Sequence, residues 1–430
     1  MQFFSTSGQS PASTFQQILF KGLAPDGGLY MPQYIPQLDT AIFQSTATYT
    51  ELATSMIAPY VESEIPIPIL SDISEKAFDF PLPLKQIGDQ LYILELFHGP
   101  TLAFKDFSAR FMAQTMQYFL RHQDKDLTIL VATSGDTGSA VANGFFKAEG
   151  IRVVILYPSG RVSKIQEQQL TTLGENVTAL EVNGSFDDCQ KMVKSAFMDD
   201  ELRQQRALSS ANSINMARLL PQMVYYAWAC QKLPAEKVVF SVPSGNFGNI
   251  TGGLLANGMG LPVEKFVAAT NANDIFPTYL EIAEYNPQPA KQTISNAMDV
   301  GSPSNLDRIR ELYGDDVAAI REDICSWSFS DEHTREKIQK AVSEWNYLSD
   351  PHTAVGILGI EEYFKNTNSK ASGVVLATAH PGKFADVVTP IIGKEIILPP
   401  QLQEAMTLKK VSHIIENDYT SLKEFLMETR

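Results

Sequence analysis

The chain has 430 residues, of which 44% are hydrophobic and 19% are charged, and this composition is typical of a folded globular protein rather than a disordered or fibrous one. Its length exceeds what a single hydrophobic core usually supports, so we expect two domains. The net charge of −15 disfavours nucleic acid and anionic membranes as partners, because an acidic protein repels both.

The cysteines and the first residues indicate the compartment. Cys189, Cys230 and Cys325 lie far apart, which predicts neither a disulfide framework nor a metal site and suits a reducing environment. The N-terminus has no basic stretch followed by an apolar one, and no apolar run approaches the length of a membrane span. We expect a cytoplasmic protein with no bound metal.

Residues 1–90 are predicted to form an N-terminal helical domain or a wrap around the rest of the chain. Short helical patterns are separated there by the proline-bearing stretches 65–70 and 81–84, and a linker is expected near residues 78–90. The stretch Gly22–Tyr30 contains an Asp-Gly-Gly turn and by itself predicts only a loop.

One lysine stands between two aromatic residues in the stretch His98–Arg110. This residue, Lys105, precedes a run of apolar residues at helical spacing, so we expect a helix that begins near it. Packing by Phe104 and Phe107 would remove water from the amine and lower its pKa, which an amine needs to attack a carbonyl carbon and form a Schiff base. The alternative is a surface lysine whose ammonium group stays in water.

Strand-like and helix-like stretches alternate from residue 91 to about residue 242. The expected strands are short apolar runs at residues 91–96, 127–132, 152–157, 177–182 and 238–242, with further ones at 265–270 and 373–378. The expected helices include residues 163–173, 186–198 and 214–231. This alternation predicts an α/β fold with open, mostly parallel sheets covered by helices, in which ligands gather at the carboxyl ends of strands.

Two polar, glycine-bearing loops follow predicted strands. The first, Ala132–Ala140, contains Ser134, Asp136 and Thr137 and leads into a predicted helix. Backbone N–H groups and hydroxyls at such a turn bind an anion such as a carboxylate or a phosphate. An ordinary strand-to-helix turn with a hydroxyl cap explains the same residues equally well.

The second loop, Ser241–Asn249, has two glycines within four residues and suits a backbone that wraps a phosphate, with a plain glycine-rich turn as the alternative. Neither a P-loop ending nor a G-x-G-x-x-G fingerprint is present, which argues against a nucleotide. A phosphate loop without nucleotide signatures, together with a candidate Schiff-base lysine, indicates pyridoxal 5′-phosphate as the cofactor.

The C-terminal half contains two runs of charged residues, Arg308–Glu311 and Arg335–Lys337, which are predicted to be solvated helix faces. Thr378 ends a predicted strand. His380 is interpreted as structural, because the ring nitrogens of a histidine are often held by backbone bonds.

Three regions follow from this reading. Residues 1–90 form the N-terminal domain, and residues 399–430 form a C-terminal helical segment. Residues 91–398 form the cofactor-binding region, with two α/β subdomains, of which the smaller carries roughly residues 91–240 in part.

Several stretches together resemble the threonine synthases of the branch found in bacteria and fungi. These are fold-type II pyridoxal-phosphate enzymes, whose fold is like that of the tryptophan synthase β chain. The resemblance runs along the whole chain in family order. The matching stretches are Gly22–Tyr30, His98–Arg110, Thr133–Gly138, Ser210–Arg218, Pro243–Gly248 and Thr378–Phe384.

The resemblance implies conversion of O-phospho-L-homoserine and water to L-threonine and phosphate by γ-elimination and β-addition of water. It implies that Lys105 holds the cofactor as a Schiff base and then moves protons at the substrate carbons, and that Thr378 contacts the pyridine nitrogen. The residues implied to hold the cofactor phosphate are Ser244, Gly245, Asn246, Phe247, Gly248 and Asn249.

For the substrate, the resemblance implies that Ser134 and Thr137 bind the carboxylate. The role of Asp136 stays open, because many fold-type II enzymes have an asparagine there and an ionised aspartate cannot donate the same hydrogen bond. A second anion site is expected for the substrate phosphate. Its predicted residues are the cations Arg218 and Lys383 and the neutral donors Ser213 and Asn215.

Two alternatives stay open. One is a serine or threonine dehydratase, or a cysteine-synthase-like β-replacement enzyme, on the same scaffold; the stretch Ser210–Arg218 and the Lys383-Phe384 pair argue against it. The other is a non-catalytic homologue that binds a phosphorylated ligand, against which the intact Lys105 argues. We expect a monomer, with a dimer as the alternative.

Overall fold

The computed structural model describes residues 1–121, 126–233 and 237–428. Its central strands are buried on both faces, which explains why they are continuous apolar runs rather than alternating ones. The strands are β1 (Phe3–Ser5), β2 (Tyr30–Pro32), β3 (Leu84–Gln86), β4 (Leu91–Glu95), β5 (Leu127–Ala132), β6 (Ile151–Pro158), β7 (Val177–Val182), β8 (Ala207–Ser209), β9 (Val238–Pro243), β10 (Val263–Thr270), β11 (Ile324–Ser328), β12 (Ser372–Ala377) and β13 (His413–Ile415).

Several helices begin with a capping box, in which a Ser or Thr side chain and a side chain three residues later satisfy free backbone N–H groups. The helices are α1 (Phe15–Lys21), α2 (Tyr49–Val61), α3 (Ile67–Ala77), α4 (Lys105–Leu120), α5 (Asp136–Gly144), α6 (Lys164–Thr171), α7 (Phe186–Met198), α8 (Asp200–Gln205), α9 (Gln222–Lys232), α10 (Gly248–Gly258), α11 (Ile275–Ile282), α12 (Leu306–Leu312), α13 (Val317–Asp323), α14 (Asp331–Trp345), α15 (Pro351–Asn366), α16 (Ala385–Ile392), α17 (Pro400–Thr407) and α18 (Tyr419–Glu428). Short 3-10 helices cover Thr40–Gln44, Met216–Arg218, Asn296–Met298 and Pro381–Phe384.

Two mostly parallel sheets form the centre of the fold. The six-stranded sheet has the order β11-β10-β9-β12-β4-β3, and only β3 runs antiparallel to its neighbour. The five-stranded sheet has the order β13-β7-β6-β5-β8 and is parallel throughout. The predicted α/β fold with mostly parallel sheets is confirmed, and all seven predicted strands are present within two residues at each end.

Helices cover both faces of each sheet. Ile129 and Leu130 are neighbours in β5, yet they lie in different apolar clusters because successive side chains of a strand point to opposite faces. The cluster around Ile129 includes side chains from α2, α3, α4 and α9, whereas that around Leu130 includes side chains from α7 and α18. The N-terminal helices therefore share the main core instead of forming a separate one.

The structure differs from the predicted boundaries at both ends. The block predicted to end near residue 90 contributes β3 to the six-stranded sheet, and the C-terminal segment predicted as helical contributes β13 to the five-stranded one. The last two residues of that segment lie outside the described residues. Within the part of the chain that is described, no helix is long and apolar enough to cross a membrane.

The helix predicted at residues 214–231 is broken. A 3-10 helix covers Met216–Arg218, and α9 starts only at Gln222, directly after Pro221. Proline has no N–H to donate and is tolerated at a helix start but not in its interior, so the break falls there. This break holds Arg218 in a tight turn instead of on a continuous helix.

Candidate active site

Lys105 lies at the start of α4, directly after a segment that pairs with the end of the six-stranded sheet. The N–H of Phe104 donates to the carbonyl of Thr378 over 2.9 Å, and the N–H of His380 donates to the carbonyl of Leu102 over 3.0 Å. The predicted helix that begins near Lys105 is present. These bonds bring the lysine segment and Thr378 together at the carboxyl end of β12.

The environment of the Lys105 amine favours its neutral form. Its Nζ lies 5.9 Å from the centre of the Phe104 ring, and the residue is half-buried. Burial lowers the pKa of Lys105 to about 8; Asp136 opposes this shift, and Arg218 and Lys383 add to it. A large fraction of the amine is therefore neutral near pH 8, unlike that of a surface lysine.

The residues beside Lys105 anchor the start of α4. The carboxylate of Asp106 accepts hydrogen bonds from the N–H and the hydroxyl of Thr101, over 2.9 and 2.6 Å. Phe107 is buried in the core, where its ring centre lies 4.7 Å from that of Phe80. The start of α4 is thus held from both sides, which fixes where Lys105 leaves the backbone.

The first glycine-bearing loop, between β5 and α5, leaves hydroxyls and N–H groups free. The Thr133 hydroxyl accepts from the N–H groups of Gly135 and Gly138 over 3.0 and 2.8 Å, which closes the turn. Among the described residues, the side chains of Ser134 and Thr137 and the N–H groups of residues 134, 136 and 137 have no hydrogen-bond partner. These groups suit an anion such as a carboxylate.

Asp136 forms a buried ion pair that joins the two sheets. Its Oδ1 lies 2.9 Å from Nζ of Lys383 and also accepts from Nε2 of Gln166 over 2.9 Å. Burial alone would raise the pKa of Asp136, but Lys383, Lys105 and Gln166 together hold it at about 2. Lys383 also donates to the carbonyl of Thr101 over 2.7 Å and is fully buried, so the structure places its charge on Asp136.

The second loop, between β9 and α10, leaves a longer run of backbone N–H groups free. None of the N–H groups of residues 245–250 donates to an acceptor within the described part of the chain, and α10 has no side-chain cap. Phe247 has a φ of 60°, which is unusual for a residue other than glycine and indicates a backbone held in a strained shape. A Cβ on Gly245 would lie 2.6 Å from Cα of Met298, so only glycine fits there.

The polar side chains of the second loop hold its shape. Asn246 donates to the Ser213 hydroxyl over 2.7 Å and accepts from the N–H of Ser304 over 2.6 Å. Oδ1 of Asn249 accepts from the hydroxyls of Tyr225 and Tyr226, while its buried Nδ2 has no partner in the described residues. A ligand in this loop therefore meets backbone N–H groups in the main.

Arg218 and Asn215 differ in what they leave free. Arg218 is buried, and its Nε and Nη1 donate to the Ser108 hydroxyl and to the carbonyl of Ala211. Its Nη2 has no partner in the described residues, and burial lowers the pKa of Arg218 to about 10. Asn215 donates both amide hydrogens to the carbonyls of Leu19 and Ser210, so no amide donor remains for a ligand.

His380 and Thr378 follow β12 and have different surroundings. Nδ1 of His380 accepts from the N–H of Gly382 over 3.0 Å, which caps a short 3-10 helix and agrees with a structural interpretation. Burial lowers the pKa of His380 to about 4, so its ring is neutral at pH 7. The hydroxyl of Thr378 has no partner in the described residues and remains available.

The predictions for the charged runs are wrong at two residues. Arg308 is fully buried, and Lys337 is nearly so and pairs with Glu361 over 2.6 Å. Sequence reasoning missed Arg308 and Gln166 as residues behind the two loops. Gln166 carried one local signal, since it is the third residue after the capping Ser163 of α6, whereas nothing in the sequence near Arg308 distinguishes it from a surface arginine.

Comparison with known proteins identifies the class. The family described as "Pyridoxal-phosphate dependent enzyme" matches residues 76–379, more than half of the chain, and the chain belongs to it. The descriptions "Threonine synthase N terminus" and "Threonine synthase, C-terminal" match residues 2–78 and 353–426. A threonine synthase of Haemophilus influenzae is 42% identical over 435 residues, which cover 100% of both chains. The chain therefore belongs to the threonine synthase family, as its motifs predicted.

Solved structures agree with this assignment. The threonine synthase of Escherichia coli is 39% identical, covers 100% of both chains and has a TM-score of 0.93. A PLP-bound threonine synthase of Brucella melitensis is 38% identical, covers 99% of this chain and 98% of its own, and has a TM-score of 0.92. The similarity extends over the N-terminal segment, both sheets and the C-terminal segment.

The residues present fit pyridoxal phosphate. Residues 245–250 offer consecutive free N–H groups at an uncapped helix start, which suits a phosphate. Lys105 offers an amine with a lowered pKa, and Thr378 offers a free hydroxyl on the segment hydrogen-bonded to it. No group of three or more metal-binding side chains occurs among the described residues.

Proposed function

We propose that the chain converts O-phospho-L-homoserine and water to L-threonine and phosphate, as a pyridoxal-phosphate-dependent carbon–oxygen lyase. The observation that carries this proposal is the position of Lys105, whose amine has a pKa of about 8 and lies on the segment that is hydrogen-bonded to Thr378. The loop after β5 offers side-chain hydroxyls together with backbone N–H groups, and the loop after β9 offers backbone N–H groups. Full-length similarity to threonine synthases supports the particular reaction.

When bound, pyridoxal phosphate supplies an electron sink that stabilises negative charge at the substrate carbons next to the amine. Lys105 takes up and returns protons at Cα and Cβ of the substrate, because an amine with a pKa of about 8 changes its protonation state readily near that pH. Phosphate leaves from Cγ, and water adds at Cβ. Residues 244–249 hold the cofactor phosphate, and the neutral hydroxyl of Thr378 binds the pyridine nitrogen without fixing a proton there.

The substrate carboxylate binds in the first loop, at Ser134 and Thr137, because their hydroxyls and the adjacent N–H groups are free. Arg218 binds the substrate phosphate through its free Nη2, with the Ser213 hydroxyl as a neutral donor. Lys383 was predicted beside them, but its ion pair with Asp136 favours a supporting role. Asp136 then serves as the counter-ion of Lys383.

An assay that separates products tests the proposal against a dehydratase on the same scaffold. Purified protein with O-phospho-L-homoserine should release phosphate and form L-threonine in equal amounts. A dehydratase would instead form a 2-oxo acid from serine or threonine, and a non-catalytic homologue would form neither product. Release of phosphate without formation of threonine would contradict the proposal.

The substrate-phosphate site has its own test. Arg218→Met should raise the KM for O-phospho-L-homoserine by roughly 10- to 100-fold, as expected when one charged hydrogen bond is lost. Cofactor absorbance should stay unchanged. If the variant lost cofactor instead of substrate affinity, Arg218 would bind the cofactor phosphate and not the substrate phosphate. We also propose a monomeric enzyme in the cytoplasm with no nucleic-acid partner; the acidic composition supports only the last of these three points.

A further inference from the structure

Arg308 is a fully buried arginine in the first turn of α12. Its Nε donates to the carbonyl of Tyr30 over 3.2 Å, and its Nη1 and Nη2 donate to the carbonyls of Ser213 and Ile214 over 3.0 and 2.6 Å. Nη1 also donates to Oδ1 of Asn305 over 2.7 Å. The side chain therefore joins the N-terminal strand β2, the segment before Arg218 and the start of α12.

The charge of Arg308 has no counter-ion in the described residues. All four of its acceptors are neutral oxygens, and it forms no ion pair within the described ranges. Burial lowers the pKa of Arg308 to about 9, although the nearby Asp307 opposes the shift. Burying a cation without a counter-ion is costly, and neutral donors could bind the same acceptors. Hydrogen bonding alone therefore does not explain a cation here.

Asn305 connects this cation to the second glycine-bearing loop. Its Nδ2 donates to the carbonyl of Asn246 over 3.0 Å and would lie 3.5 Å from a Cβ placed on Gly248. Ser213, whose carbonyl binds Arg308, accepts from Nδ2 of Asn246 through its hydroxyl. One layer of amide groups thus separates the guanidinium from the loop.

The loop itself has no charge with which to meet a phosphate. Ser244–Asn249 contains neither lysine nor arginine, so a dianion bound there meets only backbone dipoles and neutral side chains. Because Arg308 is fully buried one layer behind the loop, little solvent screens its charge from such an anion, and the attraction between them is strong.

We propose that Arg308 is the buried counter-charge of the phosphate loop: acting through Asn305, it raises the affinity of residues 244–249 for a phosphate dianion, which in turn compensates the buried cation. This inference rests on the proposed function, because it takes that loop as the site of the cofactor phosphate. Arg308 is a positioning residue, since it does not touch the reacting atoms.

The test compares two ligands that differ only in the phosphate. Full-length holoenzyme is stripped of cofactor, and the binding of pyridoxal 5′-phosphate and of pyridoxal is measured by absorbance. Arg308→Met should raise the Kd for pyridoxal 5′-phosphate by about 30-fold or more and leave that for pyridoxal within about threefold, because only the former carries the dianion. Arg308→Lys should keep most of the preference for the phosphorylated ligand.

Arg321→Met controls for the loss of an arginine that binds backbone carbonyls, although Arg321 is exposed and Arg308 is buried. Arg321 also donates to two backbone carbonyls, those of Leu280 and Glu281, but it precedes β11. Because β11, β10 and β9 run parallel, Arg321 lies at the amino ends of these strands, whereas the loop after β9 lies at their carboxyl ends. Its substitution should leave the Kd values for both ligands unchanged.

Equal losses of both ligands in Arg308→Met, or no loss of either, would overturn the inference. If Arg308→Met does not fold, Arg308→Lys decides, because a lysine that keeps the charge yet loses the phosphate preference also overturns it. Gly245→Ala tests the loop itself, since its Cβ would lie 2.6 Å from Cα of Met298. If Gly245→Ala keeps the preference for the phosphorylated ligand, the proposed phosphate site is wrong. If Gly245→Ala loses that preference but Arg308→Met keeps it, only the role of Arg308 is wrong.

Discussion

The two glycine-bearing loops follow the same pattern in sequence but present different groups. The loop after β5 closes its turn with the Thr133 hydroxyl, and it leaves the hydroxyls of Ser134 and Thr137 free. The loop after β9 uses its side chains for support, as Asn246 and its neighbours show, and leaves consecutive backbone N–H groups free. Similar loop sequences thus produce one candidate site that combines side-chain hydroxyls with backbone N–H groups and one that offers mainly backbone N–H groups.

This difference bears on how each site tolerates change. A site built from hydroxyls loses one hydrogen bond when a side chain is removed, and the rest remain. A site built from backbone N–H groups depends on the whole loop shape, because no single side chain carries the binding. We therefore expect substitutions to have graded effects in the first loop and larger ones in the second.

The largest effect should come from Lys105, the proposed cofactor-binding lysine. Lys105→Ala should lower kcat by about 10,000-fold or more, because it removes both the amine that holds the cofactor and the base that moves protons. The fold should persist, since Lys105 is half-buried at a helix start and fills no core position. Threonine formation and thermal unfolding are measured together, and near-normal turnover by a folded variant would contradict the assignment.

Breaking the ion pair behind the first loop should mainly reduce stability. Lys383→Met leaves Asp136 buried without its counter-ion, which should lower the free energy of unfolding by about 3 to 5 kcal/mol. The double variant Lys383→Met with Asp136→Asn should recover part of that loss. Lys365→Met, which breaks the exposed pair with Glu362, is the control and should change little. The free energies of unfolding are measured with a denaturant. Equal losses in Lys383→Met and Lys365→Met would show that the buried pair of Lys383 and Asp136 adds no more stability than an exposed pair.

A paired substitution separates the two loops directly. Gly245→Ala should weaken cofactor binding by roughly 5- to 100-fold, because the added methyl group overpacks against Met298. Ser134→Ala should leave cofactor binding unchanged and raise the KM for O-phospho-L-homoserine by about 3- to 10-fold, the loss expected for one hydrogen bond. If each variant weakened the binding of cofactor and substrate alike, the assignment of the cofactor to the second loop and of the substrate to the first would be wrong.

The smallest effect concerns pH. Capture of cofactor by the stripped enzyme should speed up as the pH rises through about 8, because only the neutral amine of Lys105 attacks a carbonyl. Asp136 raises the pKa of Lys105, so Asp136→Asn should move this midpoint down by roughly half to one pH unit. Stopped-flow absorbance across pH 6 to about 10 measures it. A shift to higher pH would reverse the assigned role of Asp136.

Sequence patterns predicted most of the central fold. The strands that became β5 and β7 were expected at their observed ends, because fully buried strands are continuous apolar runs. The strands β8, β11 and β13 were missed, because β8 and β13 have only three residues each and all three strands are defined by pairing with distant segments. The helix predicted at residues 214–231 failed at Pro221, a signal that was present in the sequence.

The site was predicted where a motif carried it. Lys105 and both loops were located by local composition, and in the structure each loop follows the carboxyl end of a strand, β5 in one sheet and β9 in the other. The partnership of Asp136 with Lys383 and the burial of Arg308 depend on contacts between residues far apart in the chain. A charged residue in a run with other charges looks solvated from sequence alone, and only tertiary packing decides otherwise.

The position of β13 has a consequence for how the protein is made. The first strand of the five-stranded sheet to be synthesised is β5, whereas the strand that covers β7 consists of residues 413–415. The sheet therefore stays incomplete while the intervening residues are synthesised. Until then the backbone groups at the free side of β7 are open to pairing with another chain. Cells that produce a chain truncated before β13 should therefore accumulate aggregates. Lys410 lies just ahead of that strand and binds Glu167 and Glu181. These ion pairs would be among the last contacts to form in the subdomain, after the ribosome releases the chain.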